Sequence, residues 1–136
     1  TEPLRHGASL SSDATCLQDS MKMALGDIPP GEIDILVLHA PGTLKGDRAE
    51  HRAVQNVFGA ELPAMTTNKW KAGHTLGASG TLSLEMAIMM LQHQHFVGVP
   101  YIENGKQPRR FRYAMVNAVG FGANAVSIVL RSPVEK

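Results

Sequence analysis

Ile33-Asp34-Ile35-Leu36-Val37-Leu38-His39 is short, β-branched and almost wholly apolar, and Ala40-Pro41-Gly42-Thr43 breaks it. Such a run predicts a strand buried on both faces, the habit of a parallel sheet covered by helices on each side. On its N-terminal side, Leu17, Met21, Ala24 and Leu25 recur at helical spacing on one face. Asp13 is placed to cap that helix, its carboxylate accepting from the free amides of the first turn, and Gly26 with Pro29-Pro30 ends it. On the C-terminal side, residues 47–58 predict a second helix with Ala49, Ala53, Val54 and Val57 inward and Gly59 as its C-cap.

Residues 63–67 form a weaker candidate strand, and a loop over residues 69–74 leads to Gly77-Ala78-Ser79-Gly80. These small residues open the longest predicted helix, which runs to about Gln94. Rich in methionine (Met86, Met89, Met90) and apolar nearly all round, it is expected to lie deep. The period then changes. Residues 111–116 and 125–130 predict strands separated by a turn over residues 117–124 that contains Gly120 and Gly122. Alternating strands and helices followed by a strand pair imply an α/β fold, helices layered on a mixed, roughly five-stranded sheet.

A chain of 136 residues, 43% hydrophobic and 18% charged, suits one globular domain with a real core. A net charge of +1 gives no electrostatic case for nucleic acid. The cluster of Lys106, Arg109, Arg110 and Arg112 is most simply a solvated loop, with docking of an acidic carrier protein as the sharper reading. A single cysteine, Cys16, excludes an internal disulfide framework and suits a reducing compartment, so a cytoplasmic location is expected. No apolar run approaches the roughly 20 residues of a membrane span. Thr1-Glu2-Pro3 starts without methionine, and the expectation is a piece of a longer chain.

Two histidines sit where chemistry gathers in open α/β sheets. His39 ends the first buried strand, and His74 follows Gly73 just before a helix start. Singly, each is more often a hydrogen-bonded structural residue. Lys69, five positions before His74, adds weight, because a lysine beside imidazoles can keep one neutral. Asp47 and Glu50 are most simply N-terminal charges favoured by a helix dipole. His93 and His95 lie two apart on a helix and point to different faces, so no metal site is expected. Gly120-Phe121-Gly122 joins two strands and opens no helix, which excludes a phosphate loop.

Together these motifs resemble a family. His39-Ala40-Pro41-Gly42-Thr43 followed by Gly46-Asp47-Arg48-Ala49-Glu50 resembles the condensing-enzyme signature His-Gly-Thr-Gly-Thr with Gly-Asp-x-x-Glu. The stretch Lys69-Trp70-Lys71-Ala72-Gly73-His74-Thr75-Leu76-Gly77-Ala78-Ser79-Gly80 resembles Lys-Ser-x-x-Gly-His-x-x-Gly-Ala-Ala-Gly. Asn117-Ala118-Val119-Gly120-Phe121-Gly122-Ala123 resembles Asn-Ser-Phe-Gly-Phe-Gly-Gly. The three occur in family order, and the chain is similar to the C-terminal half of β-ketoacyl-[acyl-carrier-protein] synthases of the elongating type.

The resemblance implies a thiolase-like fold and an acyltransferase that condenses malonyl-carrier protein with an acyl thioester by decarboxylative Claisen chemistry, in fatty-acid or polyketide biosynthesis. It makes His39 and His74 the catalytic histidines, donating to the malonyl thioester oxygen. Lys69 would order His74 through a polar network with Glu50 and Asp47. The Phe121 amide would form half of an oxyanion hole and its ring a gate, and Thr43 would bind the phosphopantetheine arm. No tightly bound cofactor is implied. The implied partners are acyl-carrier protein, the nucleophile-bearing N-terminal half of the same enzyme, and a second copy in a homo-oligomer. Cys16 lacks the surroundings of a nucleophile and is read as a core residue, so this stretch alone would not condense.

Departures point to a second reading, a non-catalytic partner resembling a chain-length factor. Pro41 replaces a hydroxyl residue and removes a backbone donor, and Trp70 replaces a serine. Ser83 stands where the family often has glutamate, with Glu85 turned about 200° away around the helix. Val119 and Ala125 replace a phenylalanine and an asparagine.

Overall fold

The computed structural model describes residues 14–100, 109–120, 122 and 124–133. In chain order these form α1 (Thr15–Leu25), β1 (Ile35–Val37), α2 (Leu44–Phe58), β2 (Ala64–Thr66), α3 (Lys69–Ala72), α4 (Ser79–His93), β3 (Tyr113–Gly120) and β4 (Asn124–Arg131). Short 3-10 turns cover Pro30–Glu32 and Leu76–Ala78. The sheet runs β2-β1-β3-β4, with β1 parallel to both neighbours and β4 antiparallel to β3. The mixed sheet expected from the sequence is thus present, with four strands among the described residues where about five were expected.

The strand pleat sorts the core into two layers. Leu36 and its β3 partner Met115 face Leu17 and Met21 of α1 and Ala53 and Val54 of α2. Ile35, Val37, Ala114 and Val116 face the other way, onto Ala87, Met90 and Leu91 of α4. All three β1 residues are fully buried, and burial of such side chains contributes about 1.5–3 kcal/mol each. Cys16 is 1% exposed within the first layer, as a core residue should be.

Several boundaries differ from expectation. Strand β1 is shorter than residues 33–39, although Asp34 N–H donates to Tyr113 O (3.0 Å) and Leu38 N–H to Thr66 O (2.8 Å), prolonging its pairing at both ends. The cap of α1 is Ala14, in the left-handed region at φ 47° with no side-chain bond, while Asp13 lies outside the described residues. Helix α2 begins a turn early because Thr43 Oγ1 accepts from Gly46 N–H (3.1 Å). The expected loop over residues 69–74 contains the single turn α3, closed by Gly73 at φ 71°. Asn117, expected in a turn, is 1% exposed inside β3, paired across the ladder with Ser127.

The largest correction concerns α4. Its inner face packs on β1 and β3, but Ile88 and Met89 are 39% and 52% exposed. Beside this outer face lies a groove of about 630 Å³ whose walls include Trp70, Leu82, Met86, Met89 and Val97. An all-round apolar helix needs cover on both sides, and the described residues supply only the sheet. None of the described helices is long and apolar enough to cross a membrane.

Candidate active site

Because β1, β2 and β3 are parallel, their carboxyl ends reach the same edge of the sheet. From β1 the chain crosses to β2 on one side and returns as β3 on the other, so β1 marks the switch point where open α/β sheets form clefts. His39 follows β1, Lys69 and His74 follow β2, and Val119 lies near the end of β3. Topology thus gathers residues far apart along the chain: Lys69 lies 30 positions from His39, and Val119 lies 80 positions from it.

His39 is 6% exposed, and its Nδ1 accepts the backbone N–H of Val119 (3.2 Å). His74, exposed, uses Nδ1 to accept the N–H of Leu76 (3.1 Å). Their ring centroids are 5.3 Å apart with planes at 81°. A neutral imidazole carries one proton, so occupation of Nδ1 as an acceptor leaves each ring with an Nε2–H donor. The His39 pKa is lowered from 6.5 to about 4, first by burial, then by the Lys69 charge and then by His74. His39 is therefore neutral at physiological pH.

Lys69 Nζ donates to the carbonyl oxygen of His39. Its pKa is lowered by burial, against the opposing pull of the Glu50 and Asp47 carboxylates. Glu50, by its residues alone an N-terminal helix charge and by the resemblance a member of the network with Lys69, is 2% exposed. Its carboxylate accepts the N–H groups of His39 (2.9 Å) and Ala40 (2.7 Å). Burial raises the Glu50 pKa, while the Ala40 and His39 amides, Asn117 and Lys69 oppose that rise. Asp47 Oδ1 accepts from Gly42 N–H (3.1 Å), so it fastens the same loop one turn earlier.

The backbone beside each histidine is strained. Ala40 has φ 37° and Leu76 φ 51°, left-handed values that cost an L-residue on the order of 1–2 kcal/mol. Such strain persists only where surrounding bonds fix it, and it concentrates at functional sites. At Ala40 the Glu50 clamp supplies those bonds. Gly46 is required for a different reason: a Cβ there would lie 2.7 Å from both Pro41 Cγ and Thr43 Oγ1. The glycine lets α2 start directly against the loop that follows His39.

Of the residues singled out from the sequence, His39, His74, Lys69, Glu50 and Asp47 come together, and Thr43 stands at the rim as the α2 cap. Phe121 lies outside the described residues. Ser83, in the position of the expected glutamate, is buried with its hydroxyl unpaired among the described residues, and Glu85 is exposed on the groove side. Trp70 is 38% exposed beside that groove and away from the core. Asn117 and Ser127 were given no role from the sequence, and asparagine within a glycine-rich stretch signals a turn more strongly than a site.

Two imidazoles and a buried carboxylate thus meet at the carboxyl edge of the parallel strands. The family model described as "Beta-ketoacyl synthase, C-terminal domain" matches residues 5–102, and the chain belongs to that family. It is 32% identical over 116 residues to 3-oxoacyl-[acyl-carrier-protein] synthase 2 of Mycobacterium bovis, which covers 76% of this chain and 28% of that protein. It is 31% identical over 123 residues to 3-oxoacyl-[acyl-carrier-protein] synthase 1 of Escherichia coli strain K12, covering 82% of this chain and 30% of that protein. The solved structure of the ishigamide ketosynthase/chain length factor superimposes with a TM-score of 0.82 at 21% identity, over 96% of this chain and 35% of that one. The chain thus spans under a third of the length of these curated relatives.

Proposed function

We propose that the chain is the C-terminal, thiolase-like half of a β-ketoacyl-[acyl-carrier-protein] synthase and supplies the decarboxylation half of its active site. The observation that carries this reading is the pair of imidazoles, 5.3 Å apart, each with Nδ1 held by a backbone amide and Nε2–H without a partner among the described residues. The substrate is a malonyl thioester on the phosphopantetheine arm of an acyl-carrier protein. As the bond to its carboxylate breaks and carbon dioxide leaves, the electron pair moves onto the thioester as an enolate. His39 and His74 donate to that enolate oxygen, each contributing on the order of 3 kcal/mol to the transition state. The carbanion then forms a carbon–carbon bond to an acyl thioester carried by a cysteine of the N-terminal half, expelling the cysteine thiolate.

Lys69 contributes its charge and its bond to the His39 carbonyl, disfavouring protonation of His39 so that the ring stays a neutral donor. Thr43 meets the pantetheine arm at the loop rim, and the Phe121 amide supplies half of the oxyanion hole for the acyl thioester and its ring the gate. The N-terminal half covers the outer face of α4 and the groove beside Trp70 and Met89, a contiguous apolar surface of the kind that marks an interface. The assembled enzyme works as a homo-oligomer in the cytoplasm, and the 136-residue stretch alone is inactive in condensation.

The test is malonyl-carrier-protein decarboxylation by the full-length protein, read as carbon dioxide release. His39→Ala and His74→Ala are expected to lower the rate by about 10²–10³ each, the usual loss for one oxyanion donor. Equal rates in both variants and the unaltered protein would overturn the reading. A second reading, a non-catalytic partner of the chain-length-factor kind, is favoured by Pro41, Trp70 and Ser83 at positions flanking the site. Under it the full-length protein releases no carbon dioxide and carries no cysteine in a nucleophile turn upstream.

A further inference from the structure

Strand β3 holds His39 at two points. One is direct: Val119 N–H donates to Nδ1 of the ring. The other starts two residues earlier. Ser127 Oγ on β4 donates to Asn117 Oδ1 (2.9 Å), across the register that pairs the two residues. With its oxygen engaged, the Asn117 carboxamide turns Nδ2 toward Glu50 Oε1 and Met21 Sδ, both at 3.4 Å. Glu50 in turn accepts the amides of His39 and Ala40. Asn117 and Glu50 are 1% and 2% exposed, so water cannot replace a missing partner cheaply.

We infer that Asn117 and Ser127 are positioning residues for His39, orienting the Glu50 carboxylate that clamps the His39–Ala40 backbone and aims the ring; the inference rests on the proposed role of His39 as an enolate donor. Asn117 is the only side-chain donor to Glu50 among the described residues' hydrogen bonds, and Ser127 holds the other end of the same amide by donating to its oxygen. The pair acts through the carboxylate and touches no substrate. A buried carboxylate must be ionised to accept two amides at once, and an amide donor beside it favours that ionised form. Loss of the donor therefore shifts loss of the clamp to higher pH, and does more than weaken packing.

The experiment uses full-length protein and compares Ser127→Ala, Ser127→Thr and Asn117→Leu by the pH profile of malonyl-carrier-protein decarboxylation, with thermal unfolding alongside. The acid limb of the profile is expected to move upward by about one pH unit in Asn117→Leu, a tenfold loss on that limb that alkaline buffer restores. Ser127→Ala should move it less in the same direction, and Ser127→Thr, which keeps the hydroxyl, should overlay the unaltered protein. Profiles that fall uniformly in proportion to lost stability would overturn the inference. If Asn117→Leu does not fold, the contrast of Ser127→Ala with Ser127→Thr decides. Carbon-13 NMR titration of the Glu50 carboxyl separates this from the proposed function. An unaltered protein without decarboxylase activity defeats that function, whereas a Glu50 midpoint unmoved by Ser127→Ala defeats the positioning pair.

Discussion

Replacing His39 with asparagine, which keeps an acceptor near Val119 N–H but removes the titrating ring, should flatten the acid limb of the protein's stability. His39 is held neutral in the fold, its pKa lowered from 6.5 to about 4 by burial, Lys69 and His74. In the unfolded chain the ring protonates near its ordinary value, so between these two values the unfolded state binds more protons. Stability from this group is thus fully present above pH 6.5 and is lost as pH falls through 6.5 toward 4. The whole lowering corresponds to about 3 kcal/mol at 1.36 kcal/mol per pH unit, and about 2 kcal/mol of it falls between pH 8 and pH 5. Urea unfolding at pH 8 and pH 5 measures the difference for each protein. Glu50, with its pKa raised, titrates in the opposite sense, so the comparison between the two proteins is the test and the raw slope is not. An equal loss of stability from pH 8 to pH 5 in both proteins would refute the reasoning.

Glu50→Gln should destabilise by about 2 kcal/mol in urea unfolding at pH 8, because one amide oxygen cannot serve the N–H groups of both His39 and Ala40. Gly46→Ala, which favours an ordinary helix by up to about 1 kcal/mol, should here cost about 1–3 kcal/mol, since its methyl meets Pro41 and Thr43 at 2.7 Å. A rise in thermal midpoint would count against that packing. Ala40→Gly should be stabilising by about 0.5–1 kcal/mol, the relief of left-handed strain exceeding the added chain entropy. A loss of 1 kcal/mol in the same assay would show that the Ala40 methyl is held by contacts more valuable than its strain.

The fold was legible where one side chain pattern had one explanation. A β-branched run such as Ile35-Leu36-Val37 has little alternative to a strand covered on both faces, and the helices followed from apolar spacing. Helix α4 was half legible: its composition announced burial but could not say against what, and Ile88 and Met89 are left exposed by this stretch of chain. The site was legible as residue types at strand ends, not as a geometry. Nothing in the spacing of His39 and His74 brings their rings to 5.3 Å; the parallel pairing of β1 with β2 does. Asn117 was hidden because asparagine near glycine more commonly marks a turn, and Glu50, by its residues alone a helix-start charge, entered the site only through the family resemblance. Only long-range packing turns them inward, Glu50 toward the amides of His39 and Ala40 and Asn117 toward the Glu50 carboxylate.

The backbone amides on the two Nδ1 atoms also set what a group placed between the rings would meet. Each ring is fixed as a hydrogen-bond giver and cannot become a taker without losing its anchor on Val119 or Leu76. A molecule that presents a single oxygen with two lone pairs between the rings meets matching donors. An ammonium group there, with protons and no lone pair to offer, meets two more protons. Chemical discrimination at this site is thus written in the peptide groups behind the imidazoles, where substitution of a side chain cannot readily erase it.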